Sequence, residues 1–379
     1  MNLKNSSSVR NVHRVLHSAA LLSPSSGILQ QMQHEQNAAN QLGISWEVKM
    51  YCPYNINNCY NIIYRDKKIK NENCDRFCSK IIHWVKLRYN YIRWLFQQQD
   101  HVDIFLLRYY VHDPFQLWFV KKCKKPVFFL HHTLEVPELA QYSKFLGIIR
   151  SILELIIGRY AINNAKGIIG VTKEIVDYEI NRSRKIKKNK FIYPNGILIG
   201  NNILVDKRNN DIPEFIFVAN FAPWHGLDII LKKVAESNHQ FVLHLVGKIP
   251  PKLDMLTNDP RVRLHGVMSQ EQIMQLSAQC WVGLASFALF RKKMKQACPL
   301  KAREYLMLGL PVCGDFEDIF PADVNFYKKT KGDIDELINF AFLVRDFGKE
   351  EVRKMAKEWI DKKLLLSKLY HYLTACSEI

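Results

Sequence analysis

The sequence predicts an α/β protein of two doubly wound domains facing one another across a cleft. Three observations predict it. The chain has 379 residues, enough for two hydrophobic cores. Short apolar runs alternate with longer amphipathic ones, as when parallel strands are joined by covering helices. A turn-rich tetrad, Tyr193-Pro194-Asn195-Gly196, separates two such alternations.

In the first half, residues 12–16 read as a strand, followed by a Ser-Pro-Ser-Ser-Gly turn at 23–27 and a polar helix to about Gln41. Residues 46–50 are the next strand, and 81–96 a basic, aromatic helix. The runs 103–107, 127–130 and 167–171 are of buried-strand type, with a further strand at Phe191. The most apolar stretch, 145–162, is interrupted by Arg150, Glu154 and Arg159 and carries its apolar residues at helical spacing. It reads as an amphipathic helix packed into the core, with a membrane contact as the alternative. In the second half, strands are expected at 214–219, 241–246, 262–264, 281–285 and 311–313, and helices at 227–236, 270–279 and 302–308. The expected units are 1–193, 194–350, and C-terminal helices over 351–379 packing back toward the first unit.

Composition narrows the class. Hydrophobic residues make up 48% and charged residues 24%, so the chain is globular rather than disordered. The formal net charge is +18. Residues 1–200 hold 29 Lys and Arg against 14 Asp and Glu, a net of +15, whereas 201–379 hold 25 against 22, a net of +3. Three clusters carry the excess. Lys80, Lys86, Arg88 and Arg93 are interleaved with Trp84, Tyr89, Tyr91 and Trp94. Lys121, Lys122, Lys124 and Lys125 form the second. Arg182, Arg184, Lys185, Lys187, Lys188 and Lys190 form the third. Cations beside aromatics suit an anionic membrane surface or a nucleic acid. No nucleic-acid motif accompanies them, and a solvated face is the plain alternative.

The nine cysteines show no paired rhythm, and no second pair completes a metal site around Cys74 and Cys78. Free thiols in a cytoplasmic protein are expected. The start, with Lys4, Arg10, His13 and Arg14, has only a short broken apolar stretch behind it, unlike a signal peptide. No run of about 18 apolar residues occurs.

Chemistry is expected just beyond the strand ends, where open α/β sheets bind ligands. Cys298-Pro299-Leu300-Lys301-Ala302-Arg303-Glu304 opens a helix with a lysine and a glutamate on one face. A helix N-terminus and a lysine suit a diphosphate, and a glutamate can accept hydrogen bonds from ribose hydroxyls. The alternative is an ordinary surface ion pair. Gly27 follows the first strand after a run of serines, a position that also reads as a plain turn. His131 and His132 follow the strand at 127–130. Arg108 and Tyr109 follow another and could touch an acceptor phosphate, although a surface arginine reads equally well.

These pieces come in the order of a known family. Ile168-Ile169-Gly170-Val171-Thr172-Lys173-Glu174, the hinge Pro194-Asn195-Gly196, Phe217-Val218-Ala219-Asn220 with Trp224-His225-Gly226-Leu227-Asp228, Leu245-Val246-Gly247, Leu264-His265-Gly266-Val267 and the Pro-x-Lys-x-x-Glu-Tyr helix start together resemble the retaining glycosyltransferases of family four, of GT-B fold. The resemblance covers the C-terminal half to about Gly314 and extends more weakly over the first half, and it implies that 1–193 binds the acceptor and 194–350 a nucleotide sugar. It implies that Glu304 binds the ribose, that His132 orients the donor sugar, and that Gly27, Asn220, His225, Val267, Gln296, Leu300 and Lys301 contribute to donor binding. His132, Lys301 and Glu304 are the expected catalytic groups. The chain departs from the family in having Gln296 in place of the first glutamate, and Asn220 and His225 in place of the arginine and lysine that hold the diphosphate. Lys301 can compensate.

The resemblance further implies a same-face reaction with retention, assisted by the leaving diphosphate, on a glycan or lipid-linked acceptor of surface-polysaccharide assembly. No carboxylate pair of glycosidase type and no metal-binding Asp-x-Asp is evident, so neither metal nor other cofactor is expected. The expected partners are a nucleotide-diphosphate sugar, that acceptor and an anionic membrane, and no nucleic acid. The expected place is the inner face of the membrane. A catalytically silent relative that binds a glycan or a partner is the alternative, and an epimerase would need acid–base carboxylates in the cleft.

Overall fold

The computed structural model describes residues 13–22, 26–52, 77–142, 144–183, 188–200, 205–208 and 211–377. Residues 1–12, Cys74, Cys78, Arg184, Lys185 and Lys187, which entered the expectations above, lie outside them. The first six strands are β1 (Val15–Ala20), β2 (Trp46–Tyr51), β3 (Ile104–Arg108), β4 (Val127–His131), β5 (Gly167–Gly170) and β6 (Asn189–Ile192). Around them lie α1 (Ser26–Leu42), α2 (Phe77–Gln97), α3 (Pro114–Lys122), α4 (Glu135–Tyr142), α5 (Lys144–Leu153), α6 (Arg159–Asn164) and α7 (Lys173–Ser183). The next six strands are β7 (Glu214–Val218), β8 (Val242–Val246), β9 (Val262–Gly266), β10 (Val282–Leu284), β11 (Val312–Gly314) and β12 (Tyr327–Lys329). With them come α8 (Leu227–Glu236), α9 (Gln270–Ser277), α10 (Leu300–Met307), α11 (Ile334–Val344), α12 (Lys349–Ile360) and α13 (Lys362–Ser377).

The strands form two six-stranded parallel sheets, ordered β2-β1-β3-β4-β5-β6 and β12-β11-β10-β7-β8-β9. β3, β4 and β5 are almost uninterrupted apolar runs because helices cover both faces of the sheet. The strand order reverses between β1 and β3 and between β7 and β10. Each reversal opens a crevice at the carboxyl ends of the strands. α12 packs into the core of the second domain through Val352, Ala356 and Ile360. α13 crosses to the first, where Leu366, Leu369 and Leu373 join the core beside α1 and Tyr370 donates to the carbonyl of His13.

Several expectations need correction. β1 runs over Val15–Ala20, not 12–16. Its polar residues are buried with partners: His17 Nδ1 meets Glu35 at 2.6 Å, and Ser18 donates to the Lys49 carbonyl. Arg88 and Arg182 are not surface cations. Arg88 is buried against Asp113, and Arg182 against Glu154 and Glu179.

The apolar stretch 145–162 is not one core helix: its end, Ala161 and Ile162, joins the core, but the part before it does not pack as expected. It forms α5, a π-helical turn over Glu154–Gly158, and α6. Its polar side faces inward, and Phe145, Ile148 and Ile152 are 74%, 57% and 51% exposed. Leu146, Ile156 and Tyr160 are exposed on the same segment, and Lys121 of α3 lies over the Tyr160 ring at 5.7 Å. Ile82, Val85 and Tyr89 of α2 and Trp118 of α3 are exposed as well. Among the described residues, no helix is long and apolar enough to cross a membrane.

Candidate functional site

The cleft brings the first turn of α1 against the start of α10. A Cβ on Gly27 would lie 3.6 Å from Leu300 Cδ1. Pro299, the residue before α10, supplies no capping side chain, so the first-turn N–H groups are left for another acceptor. On that turn the half-buried Lys301 ammonium donates to the Glu304 carboxylate. The helix is held from behind. Tyr305 is buried and its hydroxyl accepts the Val218 N–H at 2.8 Å. Arg303, also buried, makes a bidentate ion pair with Asp318 and donates to the carbonyl of Asn195 at 3.1 Å. Asn195 in turn donates to the Cys298 carbonyl at 2.6 Å. The hinge Pro194-Asn195-Gly196 is therefore fastened to the candidate nucleotide helix, a role that Arg303 did not reveal in the sequence.

His225 lies in a short 3₁₀ turn after β7, beyond the exposed Asn220. Its Nδ1 accepts the Ala222 N–H at 2.9 Å, which places its proton on Nε2. Burial, reinforced by the Lys292 charge, pushes its pKa down to about 4. His225 is therefore a neutral donor and does not replace the missing cation by charge. Cations nearby are Arg291, which donates to the Pro223 carbonyl and pairs with Asp228, and Lys292, which sits 4.6 Å from the Trp224 ring centroid and pairs with Glu138 of α4 across the cleft at 3.2 Å. Sequence reasoning missed Lys292, although the run Arg291-Lys292-Lys293 just before Gln296 was a signal.

Gln296 joins the two domains. Its Oε1 accepts the Glu174 N–H at the start of α7 at 2.8 Å, and the Glu174 carboxylate accepts the N–H groups of Lys295 and Gln296 at 3.0 and 2.7 Å. Its amide also faces Glu317 at 3.4 Å. A glutamate at 296 would stand between two carboxylates, which gives a physical reason for the amide. Val267 lies exposed just beyond the carboxyl end of β9, an edge strand of the second sheet.

In the first domain, a pocket of about 430 Å³ is lined by Arg108, Tyr109, His132, Thr133, Glu135, Glu138 and Arg150, among others. Arg108 is drawn into this pocket, not spread on the surface, and burial lowers its pKa to about 10. His132 also lines a small cavity beside His17, Glu35, Tyr193 and Lys362. Burial and the Arg108 charge hold His132 well below its usual pKa, so it is a neutral hydrogen-bonding group.

Behind this wall lies a buried ionisable cluster. Tyr109 stacks on His131 at 4.3 Å, and its hydroxyl donates to Glu154 at 2.5 Å. His131 meets Glu135 at 2.9 Å. Glu135 Oε2 and Glu179 Oε1 are buried without another partner, which a proton shared between the two carboxyls accounts for. Burial pushes Glu135 up to about 7 and Glu179 well above the carboxylate range. His131, Glu135 and Glu179 are close enough to surround a cation, but Arg182 already neutralises Glu179 and the shared proton accounts for the rest. Sequence reasoning found no carboxylates in the cleft; Glu135 and Glu138 stand on its wall.

The comparisons with known proteins can be set against this geometry. No protein-family model matches the sequence, and no curated protein matches it. Solved structures do match. An apo lipopolysaccharide outer core galactosyltransferase, WaaB, superposes with TM-score 0.64 at 14% identity over 95% of this chain and 99% of that one. The Anabaena protein HepE in complex with UDP gives 0.60 at 14% identity, over 96% and 100%. Sucrose-phosphate synthase from Thermosynechococcus elongatus gives 0.63 at 15% identity, over 96% and 100%. The chain has the GT-B fold. Its two parallel sheets, with a cleft at their carboxyl ends, run the full length of these glycosyltransferase structures.

Proposed function

We propose that this protein is a retaining glycosyltransferase that moves a sugar from a nucleoside-diphosphate sugar to a lipid-linked or surface-glycan acceptor at the cytoplasmic face of a membrane. One observation carries the reading: the uncapped N-terminus of α10, bearing Lys301 and Glu304, is held against the Gly27 turn across the cleft. Backbone N–H groups and Lys301 would bind the diphosphate and stabilise its charge as it leaves. Glu304 would exchange its bond with Lys301 for the ribose hydroxyls. His225, donating from Nε2, and Lys292 would supply what the departures at Asn220 and His225 remove. His132 and Arg108 would orient the donor sugar and the acceptor in the first-domain pocket. On the pocket wall Glu135 is tied to His131 and Glu138 to Lys292, so neither stands free as a nucleophile. A same-face reaction follows, in which the leaving diphosphate takes the acceptor's proton. HepE, solved with UDP-glucose, and WaaB, a lipopolysaccharide galactosyltransferase, support the donor and acceptor classes by analogy of fold.

The membrane part of the proposal rests on α5 and α6. Arg150 of α5 lines the pocket, while Phe145, Ile148 and Ile152 of the same helix face solvent, and Tyr160 of α6 lies under Lys121 at the basic end of α3. An interfacial helix of this kind buries its apolar face in the bilayer and presents cations to anionic headgroups.

Thermal melting of the protein against a panel of nucleoside diphosphates and nucleotide sugars tests the donor reading. At least one should raise the melting temperature of the wild type and not that of Glu304→Ala. If none does, the reading fails. Binding without acceptor-dependent release of the diphosphate would favour the silent relative, for which the engagement of Gln296 with Glu174 is the supporting observation.

A further inference from the structure

The second domain carries a cluster that the transfer reaction does not use. Glu214 opens β7 and Cys280 lies two residues before β10, both at the amino ends of their strands and away from the cleft, and His244, in the middle of β8, reaches Glu214 from the neighbouring strand. Their ligand atoms lie within 4.8 Å of one another. His244 and Cys280 are buried, while Glu214 reaches partial exposure and leaves a way in. From this geometry we infer that Glu214, His244 and Cys280 form a zinc-type metal site.

A carboxylate, an imidazole and a thiol form a donor set suited to zinc and not to magnesium or calcium, which take oxygen ligands. In a tetrahedral site the ligand atoms stand roughly 3.3–3.8 Å apart, so the His244–Glu214 pair, at 2.8 Å, must open, and the Cys280 sulfur, within 4.8 Å of both, must settle into that range. His244 Nε2 faces Glu214 at 2.8 Å, and its Nδ1 faces His265 Nε2 at 2.9 Å. With metal on Nε2, the His244 proton is on Nδ1 and is donated to His265, the outer hydrogen bond that fixes a ligating imidazole. His265 is brought there by an irregularity in the β8–β9 register, which places it opposite the gap between Leu245 and Val246. Lys349 donates to the carbonyls of Ser277 and Cys280, each at 3.0 Å, and so pins the backbone that carries the thiol. On binding, the Cys280 thiol loses its proton to solvent, and thiolate plus carboxylate balance the dication. Three protein ligands leave the fourth position to water.

The test is cobalt titration of metal-free full-length protein. One equivalent should bind with a thiolate-to-cobalt charge-transfer band and release a proton, and zinc should bleach the band. Cys280→Ser should abolish the band. His265→Ala should keep it and weaken affinity about 10–100-fold. Zinc should raise the melting temperature of the wild type but not of Cys280→Ser. Absence of the band in the wild type, or its persistence in Cys280→Ser, overturns the inference. Should Cys280→Ser not fold, Glu214→Gln serves instead: affinity must fall about tenfold or more, and an unchanged affinity overturns the site. Nucleotide binding in the cleft is read separately and is not needed for either outcome.

Discussion

Replacing Glu135 by glutamine should remove a pH dependence of stability that the wild type carries in its first domain. Glu135 is buried beside Glu179, and its pKa rises from 4.5 to about 7 because burial disfavours its charge. The folded state thus holds a proton that the unfolded chain has released between about pH 4.5 and 7. Stability from that proton is fully present below 4.5 and is lost as pH rises through 7. The shift corresponds to about 3 kcal/mol at most. For a domain of some 200 residues that is about 6–12 °C in melting temperature. In Glu135→Gln the amide mimics the protonated acid: Oε1 can still accept from His131, and Nε2 can donate to Glu179. Melting curves of both proteins from pH 4.5 to 8, followed by circular dichroism, give the difference, in which titrations outside the Glu135–Glu179 pair cancel. The variant should gain on the wild type as pH rises and level off above 7. A difference that is constant across this range would refute the shared proton.

Glu304→Ala should weaken nucleoside-diphosphate binding by about 1.5–3 kcal/mol, measured by calorimetry, through loss of a charged acceptor for the ribose. Since His225 is neutral above about pH 4, its contribution to that binding should be the same at pH 5.5 and pH 8, so the affinity ratio of wild type to His225→Ala should not change between them. Arg303→Ala leaves Asp318 buried and unpaired, and should cost about 3–5 kcal/mol in denaturant unfolding. Wild-type protein should float with anionic vesicles and release at high salt, whereas Ile148→Glu with Ile152→Glu should not float yet should still bind nucleotide. Flotation unaffected by that pair would remove α5 from the membrane contact.

Much of the fold was legible because buried parallel strands write themselves as apolar runs: β3, β4, β7 and β8 fall within a residue or so of their expected bounds. β1 slipped because His17 and Ser18 look like surface residues until Glu35 and the Lys49 carbonyl are brought to them by the fold. β12, short and lysine-rich at a sheet edge, has no apolar signal at all. Charge counting misread Arg88 because its partner Asp113 lies 25 residues away, and Arg182 because Glu154, 28 residues away, joins the neighbouring Glu179 in burying it. At the site, Lys301 and Glu304 were readable from helix spacing. Lys292, Glu135 and the tie between Gln296 and Glu174 were not, since each depends on which surfaces the two domains turn toward one another.

The π-helical turn between α5 and α6 bears on how the apolar stripe comes to be outside. There the Glu154 side chain reaches Tyr109, the His112 N–H and Arg182, and Gly158 leaves no room for a side chain, since a Cβ would fall 2.1 Å from Glu154 Oε1 and 2.4 Å from the Tyr109 hydroxyl. The segment is riveted along its polar side. It cannot roll about its axis to hide Ile148 and Ile152 without pulling a carboxylate from three partners. The greasy outer side is thus enforced from within, so a detergent or bilayer that covers it meets a surface already in its final orientation.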